Sequence, residues 1–308
     1  MRFGLIGTGF WARTVHGPGV RDHPGSELAG VWGRDPDRAD AAAVALGVRR
    51  YAELDAMLDD VDAVAVAVPP DVQARLAVRA AGHGCHLLLE KPVALDLAAA
   101  DQVAAAAAQA GVRAVVFHTF LYVPEVARWL AALPRDGWTG ASVRWFSSIY
   151  EPGSPYAQSV WRQDKGALWD LAPHVLSVLL PVLGAAESVV AMPGVGDQTD
   201  LIVRHASGAT STISVSLTAP PGARGMEWRI FGAEQTAVIP DSDDDEAPEA
   251  MAHAVSALID PAPHAVQRAD LALGRDIVAV LAAAQDFLDR APAGAATVPG
   301  SPGRPAPL

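Results

Sequence analysis

Cysteine is nearly absent. Cys85 stands alone in 308 residues, which excludes an intramolecular disulfide and points to a reducing, cytoplasmic setting. It falls in an apolar run, where a buried, unreactive thiol is expected. Basic residues are also scarce: 23 Lys and Arg against 35 Asp and Glu leave a net charge of −12. Nucleic acid and anionic membranes both call for a basic face, so neither is expected as a partner. The longest apolar stretches are alanine-rich and broken by charge, too short to span a bilayer, and no basic leader follows Met1. His16, His23, His83, His86, His118, His205, His253 and His264 lack metal-ligand spacing, so no metal is expected. No Ser–His–Asp order or nucleophile-elbow pattern occurs.

What is present is a chain rich in apolar residues (51%) and moderate in charge (19%), the balance of a packed globular protein. Over residues 1–120, short apolar runs alternate with helical patterns, as in βαβ units around a parallel sheet. Strands are predicted over 2–6, 28–32, 63–68, 86–89 and 113–117, and helices over 11–22, 36–46, 53–58, 71–81 and 97–109. Near-continuous Val, Ala and Leu in these strands suits a sheet covered on both faces.

The texture changes after Pro124. A helix over 125–133 precedes strands over 141–149, 188–192, 200–205, 210–217 and 227–231, several alternating polar with apolar residues. A helix over 171–183 lies between the first two of these strands. A last helix, near 275–290, carries an apolar stripe that could close onto the first half. The fold class is thus α/β: a doubly wound parallel sheet followed, over 121–290, by an α+β domain around an open, mostly antiparallel sheet. The acid run 241–246 reads as a solvated loop, and the Pro/Gly/Ala tail 291–308 as disordered.

The chemistry-bearing residues cluster in three segments. Gly7-Thr8-Gly9-Phe10-Trp11-Ala12 follows the first strand. Its glycines allow a tight turn and close approach to a pyrophosphate, and Ala12 lets the following helix pack against the strand. At the end of the second strand stands Gly33-Arg34-Asp35-Pro36. Asp35 before proline reads as a helix N-cap. Arg34, with Arg38, is then free for a ribose 2′-phosphate, Gly33 leaving room, so NADP(H) is expected ahead of NAD(H). Val68-Pro69 and Glu90-Lys91 complete the expected cofactor contacts.

Lys91 ends a buried strand at the crevice where open α/β sheets bind ligands. Asp170 and His174, four apart, share a helix face. Hydride transfer to or from an alcohol carbon requires proton movement at oxygen, and an ammonium and an imidazole suit that task. Packing alone could explain each of the three; their joint occurrence with the glycine loop favours catalysis. His118, Tyr122, Trp161, Arg162 and Trp169 are candidates for the substrate pocket.

These segments resemble the Gfo/Idh/MocA oxidoreductases. The resemblance rests on the glycine loop, on Leu87-Leu88-Leu89-Glu90-Lys91-Pro92, and on Lys165-Gly166-Ala167-Leu168-Trp169-Asp170-Leu171-Ala172-Pro173-His174. It implies a Rossmann domain, a second domain whose open sheet often builds homo-oligomers, a sugar-like small-molecule substrate, and Lys91, Asp170 and His174 as the catalytic trio. A cis Lys91–Pro92 bond is implied as well. The sequence departs from the family's pattern at Lys165-Gly166-Ala167 where three glycines are common, at Ser177 where an acid is frequent, at Gln73 where histidine is common, and at Leu121 where arginine is frequent; these positions are expected to bear on the pocket. Two other functions compete: a non-catalytic NAD(P)-binding sensor of the same fold, and a reductase for a flat, non-sugar substrate.

Overall fold

The computed structural model describes residues 1–240, 246–260 and 270–290. The acid run, apart from Glu246, together with the tail and His264, lies outside the described residues.

Six strands, β1 (Arg2–Ile6), β2 (Glu27–Trp32), β3 (Arg49–Arg50), β4 (Ala63–Val66), β5 (His86–Glu90) and β6 (Ala114–Phe117), form a parallel sheet ordered β3-β2-β1-β4-β5-β6. All residues of β4 and the centre of β5 are buried, consistent with helices on both faces. The order reverses direction between β1 and β4, and ligands of such sheets sit outside the strand ends at that switch. Cys85 is fully buried, its thiol donating to Leu58 O at 3.3 Å. Burial pushes the thiol up to about 11, which suits an inert residue.

The second sheet comprises β7 (Trp138–Phe146), β8 (Ala186–Pro193), β9 (Thr199–His205), β10 (Thr210–Ser216), β11 (Gly225–Gly232) and β12 (Thr236–Val238), ordered β12-β11-β7-β10-β9-β8. Only β7 and β10 pair in parallel; the other neighbours are antiparallel. Ala141, Val143, Leu201, Val203, Ile213 and Ile230 point inward, while Ser142, Ile202, Thr212 and Arg229 face outward in one paired row. The helix Ala172–Leu183, buried over most of its length, lies against β7 and β10 on the inner face.

Several expectations need correction. The helix predicted over 11–22 begins with a π-helical turn, Ala12–His16, before a short α-helix, Gly17–Arg21. Strands β3 and β12 and the helices Val160–Asp170 and Ala247–Ile259 were not anticipated. The segment Val160–Leu183 is long and apolar enough to cross a membrane, with mean hydropathy 1.5, yet 78% of that window is buried as core. Gly166 interrupts it with φ 65°, a left-handed conformation open to glycine. The last helix, Leu271–Asp289, does close onto the first half. A Cβ at Gly274 would meet Val93 and Val116, and Arg275 pairs with Asp101 at 2.9 Å.

Candidate active site

The glycine loop leaves β1 at the switch point. Gly7 has φ 135°, and a Cβ there would sit 2.3 Å from Ala67 O, so the loops after β1 and β4 touch across a glycine. Gly9 differs: a Cβ there would meet nothing within 4 Å. Its smallness is not demanded by protein packing, and it keeps open the side from which a pyrophosphate would approach. Phe10 is exposed beside it, whereas the indole N–H of Trp11 donates to the Tyr156 hydroxyl at 2.9 Å. Ala12 is buried, as the close strand–helix contact needs.

At the end of β2 the Asp35 carboxylate accepts from Asp37 N at 3.0 Å and Arg38 N at 3.2 Å, the geometry of an N-cap. Arg34 and Arg38 are exposed, and among the described residues neither guanidinium has a hydrogen-bond or ion-pair partner. The reading of Gly33 changes. A Cβ there would lie 2.4 Å from the Thr8 methyl, so this glycine makes room for Thr8. Val68 and Pro69 follow β4, with Pro69 preceding the helix Pro70–Gly82.

Lys91 emerges after β5 with its side chain 8% exposed. Its ammonium donates to Asp170 Oδ1 at 2.9 Å and to Asp170 O at 2.8 Å, joining the first half of the chain to the second. One N–H of three remains for another acceptor. The Lys91–Pro92 bond is cis. The other Asp170 oxygen accepts from Arg162 Nε at 2.9 Å, so one buried carboxylate lies between two cations. Burial alone would raise the Asp170 pKa, but Lys91 and Arg162 outweigh it and hold the group well below the carboxylate range.

Asp170 and His174 do not share one helix as the spacing predicts: Asp170 ends the helix Val160–Asp170 and His174 lies in the first turn of the next, Ala172–Leu183. Its ring packs edge-on against Phe120, with centroids 5.7 Å apart, and tilted against Trp145 at 5.6 Å. Burial first, and then the Lys91 charge, lower its pKa well below the ordinary imidazole value, against the opposing pull of Asp170. His118, after β6, is fully buried with neither ring nitrogen hydrogen-bonded. Burial and Lys91 push it down to about 3. Both shifts favour the neutral form of the imidazole.

The remaining candidates divide. The Arg162 guanidinium lies 4.6 Å over the Trp161 ring and 4.7 Å over Tyr156, so Trp161 and Arg162 belong to the cluster. Trp169 is core: it is 2% exposed and its indole donates to Gln285 at 3.0 Å. Tyr122 stacks on Phe117 with centroids 6.0 Å apart, and burial raises its phenol. Three of the departures expected to shape the pocket are interior. Leu121 is core, Ser177 donates to His174 O at 2.7 Å, and Gln73 is fully buried. Sequence reasoning missed Phe120, Trp145 and Tyr156. Trp145 could have been found from the alternation of β7; Tyr156, 145 residues from its indole partner, left no signal.

Comparison with known proteins identifies the fold and the family. Residues 1–118 match the family model described as an oxidoreductase family with an NAD-binding Rossmann fold, and residues 128–238 match the GFO/IDH/MocA C-terminal domain. The D-apiose dehydrogenase of Paraburkholderia graminis is 32% identical over 228 residues, covering 69% of this chain but only 59% of that protein. The UDP-N-acetylglucosamine 3-dehydrogenase of Acidithiobacillus ferrooxidans is 30% identical over 202 residues, 65% of this chain and 60% of the relative. The solved structure of the latter superposes with a TM-score of 0.77 over 94% of this chain and 99% of that one. The WlbA dehydrogenase of Bordetella pertussis, solved with NADH and UDP-GlcNAcA, gives a TM-score of 0.77 at 23% identity, over 94% of this chain and 96% of that one, a likeness of fold.

Proposed function

This chain belongs to the Gfo/Idh/MocA oxidoreductases, and on that premise we propose that it moves a hydride between NADP(H) and a secondary alcohol or ketone of a sugar, cyclitol or similar polyol. One observation carries the reading: the Lys91 ammonium meets the Asp170 carboxylate at 2.9 Å, across the two halves of the chain and at the strand ends that carry the glycine loop.

The residues present fit a dinucleotide. The approach kept clear by Gly9 suits the pyrophosphate, with Gly7 to Ala12 around it and Val68, Pro69 and Glu90 at the neighbouring strand ends. Arg34 and Arg38, unpaired and exposed, favour a 2′-phosphate, while the Asp35 carboxylate is already engaged in capping. A bound nicotinamide supplies the hydride donor or acceptor. Lys91 directs its remaining N–H at the substrate oxygen and stabilises negative charge developing there. His174 accepts the hydroxyl proton on oxidation and returns it on reduction. Asp170 stays ionised and orients Lys91; Arg162, on the other carboxylate oxygen, fixes Asp170 in turn. Trp161, Arg162 and His118 are proposed to face the substrate.

Absorbance of the nicotinamide, followed against a panel of sugars, inositols and sugar nucleotides with both coenzymes, tests the proposal. Turnover with higher kcat/KM for NADP(H) is expected. Tight dinucleotide binding with no oxidation or reduction of any member would favour the sensor instead. Because the His174 pKa is lowered, the acid limb of alcohol oxidation is expected below the ordinary imidazole value of 6.5.

A further inference from the structure

Lys91 is presented by a short turn that must hold its shape without strand partners. The backbone there curls around one side chain, that of Gln73, in the first turn of the helix Pro70–Gly82. The Gln73 Oε1 accepts from Glu90 N at 2.8 Å. Its Nε2 donates to Glu90 O at 2.6 Å and shares its hydrogens with Pro92 O at 3.1 Å and Val93 O at 3.3 Å. The amide thus pairs with both polar groups of Glu90 as a neighbouring strand would, and it holds the carbonyls on either side of Lys91. Gln73 is completely buried, so no water substitutes for these bonds. An imidazole could not reproduce this fork, because its two nitrogens point to different edges of the ring.

The backbone N–H of Lys91 is held separately. It donates to Glu90 Oε2 at 3.1 Å, and Glu90 Oε1 is fixed by the buried His16 at 2.8 Å. With its neighbours anchored on both sides, Lys91 has only its side chain free to aim at Asp170.

We infer that Gln73 is a positioning residue for Lys91: its amide sets the path of the turn and thereby the placement of the ammonium against Asp170. This deepens the enzymatic reading and rests on it for the kinetic effect, though not for the placement. Displacing a reacting group by about 1 Å is enough to lose about 10²-fold in rate.

The composition supplies a direct readout. Lys91 and Lys165 are the only lysines in the chain. Lys165, 35% exposed beside Asp164, serves as an internal standard for Lys91, which is 8% exposed. Limited acetylation with acetic anhydride, read by peptide mass spectrometry well below the melting temperature, gives a Lys91:Lys165 labelling ratio. For Gln73→Met, similar in size but without the fork, this ratio is expected to rise at least fivefold. Turnover is expected to fall about 10²-fold, while the Kd for the dinucleotide stays within threefold of wild type. Should Gln73→Met not fold, Gln73→Asn, with the same fork on a shorter stem, is read the same way. A labelling ratio within twofold of wild type overturns the inference, as does a fall in kcat matched by an equal loss of dinucleotide affinity. If the wild type turns over no substrate yet the ratio rises in the variant, the placement role stands and only the enzymatic reading is lost.

Discussion

The two walls of the candidate site are held in different ways. Lys91 stands at the C-terminal end of an interior strand of the parallel sheet, fixed by Gln73, Glu90 and His16, all in the first 90 residues. Asp170 and His174 stand on helices beneath the mixed sheet, and their placement draws on Phe120, Trp145 and Asp197, far apart in sequence. Asp197 is central to the second wall. Its carboxylate accepts from Ala167 N at 3.2 Å, just past the left-handed Gly166, and from Ser216, Leu217 and Thr218. The first wall is set by topology and a local amide, the second by long-range packing. A change to the first should therefore act on chemistry, and a change around the second on stability.

The largest effect tests the junction between the walls. Lys91→Ala or His174→Ala is expected to lower kcat by about 10²- to 10⁴-fold, with dinucleotide affinity retained by fluorescence titration. Near wild-type rates in both variants would remove the assigned roles. Asp197→Ala should separate the walls, because it orphans several donors without touching Lys91. A loss of about 2–3 kcal/mol in denaturant unfolding is expected, and an unchanged midpoint would show that the second wall does not depend on this loop. Arg34→Ala tests the outer reach of the first wall. The ratio of kcat/KM for NADP(H) over NAD(H) should fall about tenfold, the size of one charge-assisted bond; no change would place the coenzyme preference elsewhere.

A pH-dependent effect belongs to His118, between the walls. Its folded pKa of about 3 lies below the ordinary 6.5, so between these values the unfolded chain binds the extra proton. Stability is then fully present above pH 6.5 and declines as pH falls toward 3, by up to about 1.4 kcal/mol per pH unit. In His118→Phe the slope of unfolding free energy against pH over that window should flatten by about one proton. Parallel slopes in variant and wild type would contradict a buried neutral imidazole.

The same contrast explains what could be read from sequence. Strands such as Ala63–Val66 and His86–Glu90 are continuous apolar runs between turn signals, and the glycine loop and crevice lysine follow from parallel topology. The helix Ala247–Ile259 has a regular stripe at Ala247, Ala250, Met251, Ala254, Val255 and Leu258, but small alanines make the stripe faint. Val160–Asp170 escaped because it carries the polar run Arg162-Gln163-Asp164-Lys165 and is broken at Gly166. Asp170 and His174 stood out by their spacing, Arg162 reaches Asp170 across the break at Gly166 within one helix, and the hydroxyl of Tyr156 against Trp11 depends on tertiary folding. Gln73 stood out only as a departure from a resembling pattern. Its burial against the turn after β5 gives it a physical meaning that spacing could not.

The bond between Lys91 and Asp170 has a mechanical consequence too. It fastens the first half of the chain to the second, and because it leaves one ammonium N–H over, a substrate oxygen can engage Lys91 without undoing that fastening. A variant that slackens it should change small-angle scattering of the free protein along with its turnover.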